Sequence, residues 1–215
     1  MKNKYTPTYY HPLEEKWNII SHSFGLLASI VALILLAIKS SLFGTVWHVV
    51  SFTIFGVSLL ILYAASTFYH ASKNLKLRTR LNIFDHASIY ILIAGTYTPF
   101  TLVTLHGKVG WWIFGITWFF AITGVVLKLF FTGKYDKIST LMYVLMGWII
   151  VFAYKPLAQN LSTEGIKWLF IGGILYTLGA VMYSINRLKF NHVIFHFFVL
   201  LGSFSHFISI YFYVL

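Results

Sequence analysis

Two histidines four residues apart, His192 and His196, lie in a run of the chain made almost wholly of hydrocarbon and aromatic side chains. On a helix that spacing places both imidazoles on one face, a turn apart, where they can share a metal ion. A third histidine, His70, follows Ser66 at the same interval, and Asp85 is the carboxylate that falls inside an apolar run. Three imidazoles with a fourth position left to water form a zinc shell of the catalytic type, and a carboxylate nearby can orient and deprotonate that water. The set read from the sequence is therefore His70, His192 and His196 around zinc, Asp85 as base, and Ser66 as a hydrogen-bonding support. Glu14, Asn18 and His22 recur at helical spacing elsewhere, with Ser21 and Gly25 beside them. They read either as a polar stripe packed between helices or, for His22, as a fourth ligand or proton relay.

The frame that must hold these groups follows from composition. Of 215 residues, 59% are hydrophobic and 10% charged, whereas a soluble domain needs about 25% charged residues to cover itself. Lipid is the expected solvent, and mean hydropathy of +0.79 agrees. The net charge of +11 is scattered between apolar runs rather than gathered on one face, which argues against a nucleic-acid partner. With no cysteine there is no disulfide, thiol nucleophile or thiolate site. The polar N-terminal residues 1–16 lack a cleavable apolar segment, so no signal peptide is expected.

Seven apolar runs of about 20 residues, each long enough to cross a bilayer as a helix, divide the chain near Trp17–Ile38, Phe43–His70, Asn82–Leu105, Gly110–Phe131, Ile138–Tyr154, Ile166–Ile185 and His192–Leu215. The predicted fold is an all-α, seven-helix transmembrane bundle forming one domain over residues 1–215. Pro99 should kink the third span. Lys and Arg divide 12 to 4 between alternate ends of the runs, so the N-terminus is expected in the cytoplasm and the C-terminus outside. That topology brings His22, His70, His86, His192, His196 and Asp85 to one depth near the cytoplasmic face. His86 points about 100° away from Asp85 around its helix and is left out of the site. His48, His106 and His206 fall towards the outer side, and His11 lies in the polar tail. Against the functional reading stand plainer ones: interfacial histidines wetted at the tip, and Asp85 as a cap of its helix or the partner of a loop arginine.

The stretches EEKWNIISHSFG, STFYHAS, FDHASIYILIAGTYTPF and FNHVIFHFFVLLGSFSHF together resemble the hemolysin III family, which groups with the progestin and adipoQ receptors and, further off, the alkaline ceramidases. The resemblance runs over nearly the whole chain. It implies a seven-helix bundle with a zinc on its inner side, at positions matching Ser66, His70, Asp85, His192 and His196. It also implies relatives that act on ceramide-like lipids or in lipid homeostasis, and bacterial members named for haemolysis. The chain lacks the long N-terminal domain of the eukaryotic receptors. The expected function is a zinc-dependent hydrolase of a lipid amide or ester reached from the inner leaflet of the cell membrane. The alternatives are a pore-forming cytolysin and a non-catalytic lipid sensor with structural zinc.

Overall fold

The computed structural model of the protein describes residues 7–185 and 187–215. Lys2 and Lys4, counted above towards the inner charge, lie outside them. Among the described residues there are helices and no strands. The order is α1 (Pro12–Phe43), α2 (Val46–Ala71), α3 (Leu75–Pro99), α4 (Gly107–Phe131), α5 (Asp136–Gly147), α6 (Tyr154–Asn160), α7 (Thr163–Ser184) and α8 (Asn191–Tyr213). A π-helical segment, Phe100–Leu105, extends α3, and a tighter 3₁₀ turn, Ile149–Ala153, joins α5 to α6. Counted with these extensions, seven helical segments are long and apolar enough to cross a membrane, and the protein is a multi-pass membrane protein.

Local chemistry sets the boundaries. Pro12 opens α1, where its missing N–H costs nothing, and Glu14 and Glu15 favour the positive end of the helix dipole. Asn74 caps α3 by accepting the Leu77 N–H at 3.1 Å, and Ser162 caps α7 by accepting that of Gly165 at 3.2 Å. Asn74 therefore disposes of Asp85 as a cap: the third helix starts ten residues before it, through a segment too polar to be counted in the sequence. Pro99 does not break the third span. Beyond it the chain continues as the wider π turn, and Thr98 and Thr101 hydroxyls return hydrogen bonds to the Ala94 and Tyr97 carbonyls.

The helices run up and down in sequence order, α1 against α2, α2 against α3, α3 against α4 and α7 against α8, and the ring closes through α1 and α8. The third span is the most buried; α1 and α4 to α7 turn apolar faces such as Phe24, Trp112 and Phe152 outward. Close approach needs small residues at specific points. A Cβ on Gly25 would stand 2.5 Å from the Tyr63 ring and 2.9 Å from Leu200, so glycine lets α1 reach both α2 and α8. One end of the bundle holds the starts of α1, α3, α5 and α8 and the ends of α2, α4 and α7. The polar chemistry gathers there.

Candidate metal centre

His70 comes from the last turn of α2, His192 and His196 from the first two turns of α8. All three are buried, at 2%, 4% and 1% exposure. His192 Nε2 lies 3.1 Å from His70 Nε2 and 3.1 Å from His196 Nε2, and the three nitrogens fall within 4.8 Å of one another. Ligand nitrogens about 2.0–2.1 Å from a tetrahedral zinc are about 3.3 Å apart, so the spacing suits such an ion. The outer nitrogens support the same conclusion. A carboxylate can only accept, so His70 Nδ1–H donates to Glu15 Oε2 at 3.0 Å, which leaves the lone pair on Nε2 turned towards the other two rings. His196 Nδ1 is 3.1 Å from the Ser21 hydroxyl. Nitrogens converging in a buried site, with the His70 and His196 rings held from behind and His192 Nδ1 buried without a partner, are an arrangement that can take a divalent metal.

Glu15, not Glu14, makes the contact. Its second oxygen pairs with Arg78, whose side chain is 2% exposed and also donates to the carbonyls of Tyr69, His70 and Ser72 and to that of Thr8. Asn18 is fully buried and donates to Glu15 at 3.5 Å, while Glu14 sits against the backbone N–H of His192 with one oxygen unpartnered. The helical stripe is real, but its register is Glu15, Asn18 and His22. His22 stacks flat on His196, ring centroids 3.5 Å apart and planes 11° from parallel, and both its nitrogens are buried without a partner. It lies beside the three converging nitrogens rather than among them. Tyr10, ahead of α1, covers the site from the other side, stacked on His192 at 4.6 Å. Desolvation, with the Tyr183 and Tyr69 phenols and the Asp85 and Glu15 carboxylates around it, pushes the Tyr10 phenol well above its ordinary value and keeps it a donor.

Asp85 and Ser66 meet the histidines across a cavity of about 150 Å³ whose wall includes His192, His196, Asp85 and Ser66. The Ser66 hydroxyl faces the Asp85 carboxylate. His86, set aside on helical spacing, lines the same cavity. From that polar end the cavity extends between apolar walls past Tyr97 and Phe100 to Leu169 and His206, the last buried against the Leu169 carbonyl at 3.1 Å. His206 is ten residues from His196 on α8, about 15 Å along its axis. It shares the cavity and stands well away from the three imidazoles, as do His48 and His106 near the opposite end.

Glu15, Arg78 and Tyr10 are not singled out by the sequence, and Ser21 stands out there only as a neighbour of the polar stripe. Glu15 was legible only as a first-turn acid and Arg78 only as a loop cation. A buried partner for each loop charge is not a feature that spacing reveals.

Comparison with known proteins bears on this geometry. Residues 10–207 match the family model described as Haemolysin-III related. The chain is 48% identical to Hemolysin-3 of Bacillus cereus over 202 residues, covering 94% of this chain and 92% of that one. It is 46% identical to the Hemolysin-3 homolog of Bacillus subtilis (strain 168), covering 93% and 94%. It is also 29% identical to the human monocyte to macrophage differentiation factor over 221 aligned positions, covering 98% and 87%.

Proposed function

The chain belongs to the haemolysin-III-related family, and from that premise we propose that it is a zinc-dependent hydrolase of a lipid amide or ester. The observation that carries the reading is a group of three buried imidazole nitrogens, two of whose rings, His192 and His196, share the wall of a largely apolar cavity with Asp85. His70, His192 and His196 would hold the ion. Bound there, zinc would polarise the carbonyl and bring the ionisation of water towards neutral pH.

The chain's own residues supply the remainder. Glu15 and Ser21 hold His70 and His196 in the orientation that ligation needs. The apolar walls take the lipid chain and keep bulk water out. Asp85 accepts the proton lost by water as its oxygen bonds to the carbonyl carbon, and returns it to the leaving amine or alcohol as the C–N or C–O bond breaks. The products are a carboxylate and the released headgroup. We place the histidine end of the bundle in the cytoplasm, because Lys and Arg divide 12 to 4 in its favour along the sequence. The substrate then enters from the inner leaflet.

The printed name of the Bacillus cereus relative, Hemolysin-3, motivates a second reading, a protein that permeabilises membranes. Against it, the cavity's long section is apolar, and a water-filled pore needs polar lining from end to end. One experiment separates the readings: protein in vesicles containing ceramide-like amides and ester lipids, with products followed by mass spectrometry and dye release measured alongside. Hydrolysis predicts a product that chelation abolishes, without leakage. Leakage without product from any lipid would replace this reading with the permeabilising one, and neither signal would favour a sensor.

A further inference from the structure

Lys128 is a buried ammonium in a membrane span. It lies in the last turn of α4, is 3% exposed, and lines the cavity together with Ser139, Thr140, Tyr143 and His86. Lys134 and Lys137, close by in sequence, are exposed. A cation withdrawn from water within a span is costly, and such groups mark ligand paths far more often than they serve packing. Lys128 also interacts with the surrounding protein. It lies three residues from the end of α4, and because Trp118 bonds Thr98 and Gly124 meets the Tyr90 ring across the antiparallel α3–α4 pair, Lys128 stands level with the turn of α3 that carries Asp85 and His86. Beside it, α5 is only 12 residues long, packs lightly on α3, α4 and α7, and turns Ile138, Leu141 and Leu145 outward. This short helix is what separates the cavity from the surroundings next to the cation.

We propose that Lys128, supported by the Ser139 and Thr140 hydroxyls, binds the phosphate of an anionic lipid whose chain occupies the cavity. This deepens the hydrolase reading by naming a substrate class, and rests on its premise that the cavity takes a lipid chain. The phosphate is then at Lys128, the linking carbonyl beside it towards Asp85 and the histidines, and the hydrocarbon between the apolar walls. Phosphate accepts charge-assisted hydrogen bonds from an ammonium and from hydroxyls, which a neutral glycerol headgroup does not reproduce.

The test uses lipids that cannot be hydrolysed. Binding of hexadecylglycerol phosphate and of hexadecylglycerol, both ether-linked, is measured on the full-length protein in phosphatidylcholine nanodiscs, with inorganic phosphate as a third probe. The expected result is tighter binding of the phosphate lipid by about tenfold or more, as one charge-assisted hydrogen bond supports. Lys128→Gln should abolish that preference while leaving hexadecylglycerol unchanged; Lys128→Arg and Lys137→Gln should keep it. Equal binding of the two lipids by the wild type, or an equal loss of both in Lys128→Gln, would overturn the proposal. So would inorganic phosphate binding as tightly as the lipid, which would make this a free-anion site. Should Lys128→Gln not fold, the wild-type preference and the Lys128→Arg variant decide. Because the probes carry no amide or ester, a preference for the phosphate lipid stands even if the turnover assay fails; if neither lipid binds, the chain-holding cavity is refuted and this proposal with it.

Discussion

Replacing Glu15 with glutamine isolates what the carboxylate contributes to the histidine cluster. Glu15 receives the His70 Nδ1–H at 3.0 Å and pairs with Arg78, with side-chain exposures of 17% for Glu15 and 2% for Arg78. Glutamine keeps the shape but has a single acceptor oxygen, so one of the two donors faces its amide N–H₂ instead. If Arg78 keeps the oxygen, His70 loses the partner that fixes its tautomer, and metal affinity should fall about 10–100-fold, or about 1.4–2.7 kcal/mol. Whichever donor keeps it, the buried guanidinium loses its counter-charge, because glutamine is neutral. Its bonds to the Tyr69, His70, Ser72 and Thr8 carbonyls soften that loss to about 1.5–3 kcal/mol, one charge-assisted hydrogen bond. The assay is zinc retention against chelators of graded affinity, read by metal analysis, with thermal melting of the same samples. The expected result is weaker retention together with a melting point lowered by several degrees, while Glu14→Gln, whose carboxylate touches neither group, keeps its zinc. Wild-type retention in Glu15→Gln with only the melting point lowered would show that Glu15 serves Arg78 alone, and the proposed support of the ligand would be wrong.

Other perturbations test the remaining links. Purified protein should carry about one zinc per chain, and the His192→Ala, His196→Ala double variant should carry none, since each change removes a ligand; full occupancy would show the ligand set to be misassigned. Asp85→Asn preserves size but removes the base, so zinc should remain while lipid turnover falls about 10²–10⁴-fold; undiminished turnover would exclude Asp85 as proton acceptor. A periplasm-active reporter fused after Leu215 should be active and one fused at Lys76 silent, the opposite pattern reversing the orientation. Gly25→Leu should destabilise the bundle by a few kcal/mol, because the added side chain must displace Tyr63 and Leu200; a melting point equal to wild type would show that the α1 contact has slack.

Hydrophobicity alone established the solvent, the helical class and the span count, because a chain in lipid must satisfy its backbone within each segment and can hide few charges. It likewise established that His192 and His196 share a face, since that is a property of one helix. It misjudged the start of the third span, where the residues from Leu75 are helical despite their charges, held by the Asn74 cap and by packing. Span topology also brought His70 to the depth of the pair, and the structure groups all three. Which residues hold these rings was beyond periodicity: Ser21 and His196 are 175 positions apart, Glu15 and His70 55. Glu14 and Glu15 are about 100° apart on α1, and only the packing of α1 against α2 and α8 selects the second. The same packing turns Arg78 from a loop charge into the buried partner of Glu15 and brings His86 to the cavity wall. Local spacing describes a single helix, and a site is made where several helices converge.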